Sequence, residues 1–196
     1  VPKIVDRAAR RTEIVDAYLA IVARDGAAAA TSRAVAAELG VATGALWHYF
    51  DGLDEMLLAA FQRMYDNTTE RIAAGTAGLH GMAAVEVALH EMLPLDPTTQ
   101  QEATVVVAFF GRVAGQPALG RVVSDVEADW RAMLTGHLHE AIELGELRRG
   151  IPVADIVDTL LALTAAEQIE HVVRTSIGSP ARQWTLVQHA LAPYRA

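Results

Sequence analysis

The sequence predicts an all-α protein of about nine helices, on three observations. Apolar residues recur at helical spacing through almost all of the 196 residues, and no segment alternates convincingly with a period of two. Ala and Leu are abundant within an apolar content of 52%. Breaks in the periodicity carry helix-stopping residues: Pro94 with Pro97, Gly115 with Pro117, Gly150 with Pro152, and Gly178 with Pro180. A chain of this length can bury a sizeable core, in one large or two small domains.

The first helix is expected over about residues 6–24, with Ile14, Tyr18, Ile21 and Val22 on one face and Asp25-Gly26 at its end. Thr31 is placed to cap a short helix near 32–39, which Gly40 stops. A second short helix is expected at about 43–49. Asp51 is expected to cap a long helix to about residue 74, with Asp54 and Glu55 in its first turn and Leu53, Leu57, Phe61 and Met64 on its apolar face. Helices follow at 82–93, 99–114, 117–145, 153–177 and 180–193. The domain division falls near residue 50: residues 1–51 form a small N-terminal three-helix unit, and residues 52–196 a larger helical one.

Composition narrows the function. There is no cysteine, so disulfides, thiolate zinc sites and a cysteine nucleophile are excluded, in keeping with a reducing cytoplasm. No 18-residue uncharged apolar run exists, and the start, VPKIVDRAARR, lacks the apolar core of a signal peptide, so no membrane partner is expected. The net charge of −8 is uneven: residues 1–11 hold Lys3, Arg7, Arg10 and Arg11 against Asp6 alone, and the acidic excess lies further on.

An enzyme is not expected. A di-iron bundle needs Glu-x-x-His pairs. Val87, Leu134, Gly136 and Gln168 stand three residues before His90, His137, His139 and His171. Glu86/His90 and Glu167/His171 have helical i,i+4 spacing without a zinc-protease frame, and read as surface pairs. There is no phosphate-binding glycine loop and no Gly-x-Ser-x-Gly elbow, so neither cofactor, metal nor catalytic residue is expected.

The two short helices and the turn Gly40-Val41-Ala42 make a helix-turn-helix, with Val35, Ala36, Leu39, Val41 and Leu46 spaced to form its core. In this motif the second helix lies in the major groove of double-stranded DNA while the first crosses the backbone. Thr43, Gly44, Ala45, Trp47 and His48 are then candidates to face DNA, the small residues permitting close approach. Trp47 has a competing reading, packed against the first helix, and Phe50 reads as core.

The stretch TSRAVAAELGVATGALWHYFDGLDEMLLAA, residues 31–60, resembles the DNA-binding signature of TetR-type transcriptional repressors. Glycine, turn, aromatic cluster and following helix all fall at that family's separations. QPALGRVV (116–123) and AIELGELRRGI (141–151) resemble more faintly the C-terminal domain of its BetI-like branch. The resemblance implies a ligand-responsive regulator, a repressor that binds a palindromic operator as a homodimer and is released by a small-molecule effector. It implies DNA contacts from Thr31 and Arg33 at the start of the second helix, from Thr43 and Gly44, and from Trp47 and Tyr49 at phosphate or a thymine methyl. Arginine can pair with guanine, and an indole N–H or phenol O–H can anchor phosphate. Lys3, Arg7, Arg10 and Arg11 would add phosphate or minor-groove contacts. The family usually carries Lys where this chain has Leu53, a departure that removes a phosphate contact and keeps open a second reading: a helical interaction protein of the same fold with weak or lost DNA binding.

In the larger part, Met82, Met92, Phe109, Phe110, Trp130, Met133 and His137 could line an apolar pocket, or serve as ordinary core. Ile156, Leu160, Leu163, Ile169 and Val173 on one helix, with Trp184, Val187 and Leu191 on the next, suit a two-fold four-helix interface, or the interior of one subunit. The resemblance implies that same interface.

Overall fold

In the computed structural model, residues 6–113, 115 and 117–196 are described, and they form nine α-helices and no strand. Helix α1 (Arg7–Asp25) starts where the Asp6 carboxylate accepts the N–H groups of Ala8 (3.0 Å) and Ala9 (3.4 Å). After a one-turn 3-10 segment, α2 (Ser32–Glu38) is capped as expected, the Thr31 hydroxyl accepting from Ala34 N–H at 3.2 Å. At its end Gly40 N–H donates to the Ala37 carbonyl (3.1 Å) and Val41 N–H to the Ala36 carbonyl (2.9 Å). This closure requires a left-handed residue, and Gly40 has φ +66°.

Helix α3 (Thr43–Leu46) is one turn long, shorter than the expected 43–49. The amides of Tyr49 and Phe50 both return to the Leu46 carbonyl, at 2.9 and 3.1 Å, so the chain tightens and swings Phe50 into the core. Helix α4 (Leu53–Thr76) follows Gly52, whose φ of +147° is a glycine conformation. The Asp51 side chain does not cap it, contrary to expectation. Glu55, at the third helical position, instead reaches back past the N-cap Gly52 to accept Asp51 N–H at 2.6 Å.

Helices α5 (Gly81–Met92), α6 (Pro97–Val113), α7 (Pro117–Glu143), α8 (Val153–Val173) and α9 (Pro180–Leu191) lie within a few residues of their expected spans. Helix α8 stops before 177 because Arg174 turns left-handed (φ +61°), and Gly178 then packs on the helix end, where a Cβ would stand 2.2 Å from the Glu170 carbonyl oxygen.

Two cores organise these helices. The upper one joins α1, α2, α3 and the first half of α4, and is completed by Val105 and Phe109 of α6. The Phe109 ring stacks on Phe61 at 4.2 Å between centroids. The lower one gathers α5, α7, α8 and α9 around Leu89, Leu138, Leu160 and Val187. Helix α4 belongs to both, through Met56 to Met64 above and Ile72 below. Packing therefore continues across residues 51–52.

Several expected surface assignments are corrected. Ile156, Leu160, Val187 and Leu191 are buried in the chain's own lower core, and Trp184 packs against it with its ring 4.2 Å from that of His90. These residues are already covered within the chain, α8 by α6, α7 and α9, and α9 by α8. Leu163 is half-buried, while Ile169 (45%) and Val173 (63%) are exposed. Glu86 pairs with Arg195 at 2.7 Å, and Glu167 is buried rather than on the helix surface. Among the described residues, no helix is long and apolar enough to cross a membrane.

Candidate nucleic-acid interface and interior cavity

The helix-turn-helix is pinned from inside. Val35, Ala36, Leu46 and Phe50 are buried in the upper core, with Leu39 and Val41 packed against it. With its inner residues so fixed, α3 leaves Gly44, Trp47 and His48 exposed, Trp47 at 43%, and Thr43 and Ala45 half-buried. Trp47 lies beside Phe50, Asp51 and Gly52 in a shallow surface hollow, so its ring is not absorbed by α1. Arg33 is exposed on α2. Tyr49 is half-buried and packs on the upper core, and the Thr31 hydroxyl is engaged by its capping bond.

The N-terminal cations differ among themselves. Lys3 lies outside the described residues. Arg7 is exposed at the first position of α1, and Arg10 pairs with Glu13 one turn on. Arg11 turns inward: its guanidinium donates to the Tyr49 carbonyl and to Glu55 Oε1 (2.8 Å), and lies 4.1 Å from the centroid of the Phe50 ring. One side chain of α1 thus joins the end of the reading turn to the start of α4. The Glu55 carboxyl is held below its usual range, first by the Asp51 N–H it accepts and further by Arg11, against an opposing cost of burial.

The start of α4 carries no cation. Leu53 packs on the upper core, and Asp54 pairs with Arg112 of α6 at 3.2 Å.

Below the reading head a cavity of about 410 Å³ opens between the two cores. Met92, Phe110 and Trp130 line it as expected. Met82 and Phe109 are buried in the cores, Met133 packs on the lower one, and His137 bonds Glu140 at 3.2 Å; none of these four lines the cavity. Phe61, Met64 and Tyr65 of α4 form a wall that the sequence did not single out, although the first two stood on its expected apolar face. Val123 and Val126 of α7 and Leu161 and Gln168 of α8 contribute others. Gln168 offered a signal, as a polar residue beside Glu167 inside an otherwise mainly apolar helix stretch.

Polar groups of the cavity are mostly engaged. Tyr65 donates to Asp129 at 3.0 Å, and Arg131 bridges Glu127 (2.6 Å) and Asp158. Trp130 Nε1 and Gln168 Oε1 are buried without a partner. Further along α4, Arg71 grips Glu102 of α6 with both terminal nitrogens (3.0 and 2.7 Å) and donates through Nε to Glu91 of α5 at 2.6 Å. Burial pushes the Glu102 carboxyl up, against the opposing effect of Arg71.

A helix-turn-helix head joined by one continuous helix to a cavity-bearing helical body is the build of a DNA-binding transcriptional regulator. The chain belongs to the TetR family. The profile described as "Bacterial regulatory proteins, tetR family" matches residues 14–60, and "BetI-type transcriptional repressor, C-terminal" matches residues 81–193. The HTH-type transcriptional regulator PksA of Bacillus subtilis (strain 168) is 34% identical over 109 residues, a stretch covering 55% of this chain and 53% of that protein. The HTH-type transcriptional repressor KstR2 of Rhodococcus jostii (strain RHA1) is 27% identical over 153 residues, 75% of this chain and 72% of that one. Among solved structures, a regulator from Saccharomonospora viridis in complex with choline superposes with a TM-score of 0.84 at 16% identity, over 94% of this chain and 96% of that one. A transcriptional regulator from Rhodococcus sp. RHA1 reaches 0.78 at 24% identity, over 94% and 95%. These two likenesses show the fold. The family models and the named relatives are transcriptional regulators.

Proposed function

We propose that this protein represses transcription in the cytoplasm by binding a palindromic operator in double-stranded DNA as a homodimer, and is released by a small molecule that fills the cavity. One observation carries the reading: α4 supplies Phe61, Met64 and Tyr65 to the cavity wall and, at its first turn, Glu55 to the clasp that holds the reading turn. A ligand that prefers one placement of α4 biases the separation of the two reading heads, and one that binds both placements equally shifts nothing.

In this reading residues 1–51 contact DNA, with Arg33, Thr43, Gly44, Ala45 and His48 toward base edges and Arg7, Arg10 and Trp47 toward phosphate. Residues 52–196 sense and dimerise. The dimer face is the exposed side of α8, where Ala162, Ala166, Ile169 and Val173 follow at helical spacing, extended by the outer side of α9. The choline bound by the Saccharomonospora relative supports a small organic effector here too.

The test is protection of the DNA adjoining the protein's own gene. A protected inverted repeat whose occupancy falls steeply with salt supports the reading. The second reading, an interaction protein with weak DNA binding, is favoured by Leu53 in place of a cation and by the acidic residues around it, and is identified by a flat salt response.

A further inference from the structure

The cavity and the exposed side of α8 share residues. The cavity floor is closed, with Phe61, Met64, Met92 and Leu161 buried. Glu127 of α7 and Asp158, Ala162 and Ala165 of α8 line the same cavity but are exposed, so its mouth lies between these two helices. Arg131 bonds both rim acids, Glu127 and Asp158. Ala162 also begins the exposed run that continues through Ala166 to Ile169 and Val173, which leave 45 and 63% of their surface in water. Mouth and run form one patch, and a partner that covers the run removes apolar surface from water at both.

Charge points to the partner. Asp155 in the first turn of α8 and Arg174 at its C-cap are both exposed, and neither makes an ion pair among the described residues. A two-fold axis through the middle of α8 pairs the helix with its own copy in antiparallel, and sets Asp155 of each chain towards the partner's Arg174. The midpoint of positions 155 and 174 falls beside Ala165. Small side chains at Ala162, Ala165 and Ala166 let two helix axes approach closely there. Ala162 and Ala165 are also the mouth residues, so the crossing point and the mouth coincide.

We infer that a second copy of this chain covers the cavity mouth, its α8 crossing at Ala162 and Ala165, so that the binding site is complete only in the dimer. The inference rests on the reading of α8 as the dimer face and of the cavity as the effector site, and it joins the two. An occupant enters and leaves as the dimer face opens, and by linkage it tightens the dimer by the same factor as dimerisation tightens its binding.

Thiol reactivity tests the covering without any ligand. The chain has no cysteine, so Ala165→Cys and Glu127→Cys each place one thiol, on opposite sides of the mouth, and Ala37→Cys places one on α2 as an exposed reference. In a full chain that sediments as a dimer, the two mouth thiols should react with a bulky maleimide at least about tenfold more slowly than the reference. Adding Ile169→Glu, outside the cavity, should give a monomer in which both react within about threefold of the reference. Circular dichroism checks that this monomer is folded, and Val173→Glu takes its place if it is not. Protection of only one mouth thiol would overturn the inference and leave the dimer face standing, because the partner then lies beside the mouth. Equal reactivity of all three thiols in the dimer, or slow reaction that persists in the monomer, would overturn it as well. A parent that sediments as a monomer would refute the dimer reading together with it.

Discussion

Arg11 stacks its guanidinium 4.1 Å from the centroid of the Phe50 ring, and from that position bonds the Tyr49 carbonyl and Glu55. The three contacts join α1, the reading turn and α4 at one point. A side chain expected at phosphate therefore has an internal use. Arg11→Ala should destabilise the fold by about 1–2 kcal/mol, discounted because both partners keep about a third of their side chains exposed. Thermal unfolding checks this, with a fall in Tm of several degrees. Arg7→Ala should leave Tm unchanged and weaken operator binding.

Glu55 gives the clasp an acid limit. Its folded-state pKa lies below the ordinary glutamate value, so its contribution is present above that ordinary value and is lost as pH falls through the folded one. Stability measured downward from about pH 5 should drop faster in the parent than in Glu55→Gln, which has no proton to take up.

Trp47 should matter to DNA and not to stability. With 43% of its surface exposed, Trp47→Ala should leave Tm within about a degree and lower operator affinity about tenfold. The loss should be similar across operator variants, because a phosphate contact positions without specifying. Arg33→Ala should instead relax preference at particular base pairs.

Leu53 gives a gain-of-function test. Replacing it with lysine places a cation at the first position of α4. Leu53→Lys should tighten operator binding and steepen its dependence on salt by about one counterion. An unchanged slope would mean that the helix start does not approach phosphate.

Arg71 locks α4 to α5 and α6 through two glutamates. Glu102 has its pKa raised by burial, so its favourable share of stability is present below the ordinary glutamate value and is lost as pH rises through the folded one; Arg71 offsets this. Arg71→Met should cost about 2–3 kcal/mol at neutral pH and less in mild acid, since the group is partly solvated. Adding Glu102→Gln should recover much of the loss, as chemical denaturation would show.

The legible parts of this chain are those set by near neighbours. The α1 face of Ile14, Tyr18, Ile21 and Val22, the Thr31 cap and the Gly40 turn each depend on residues within a few positions, and the sequence placed them correctly. Arg11 escaped because its partners lie 38 and 44 residues away. The only local hint was Glu55, three residues after Gly52, where a capping-box acid belongs. The cavity was half legible for a related reason. Met92, Phe110 and Trp130 were picked as large apolar residues, but so were Met82 and Phe109, and only the assembled helices decide which of them meet empty space. Periodicity likewise finds a buried stripe without saying what buries it, so Ile156, Leu160, Val187 and Leu191 read as an interface and pack as core.

The central claim is that α4 passes occupancy of the cavity to the reading heads. The chain has no cysteine, so Ala37→Cys at an exposed position of α2 gives one label per subunit, and its distance across the proposed dimer can be measured by pulsed electron resonance without DNA. The account predicts that saturating the cavity with a ligand that releases the operator shifts that distance distribution by several ångströms, as a lever through a packed core requires. An identical distribution with and without that ligand, under conditions where calorimetry shows it bound, would contradict the account.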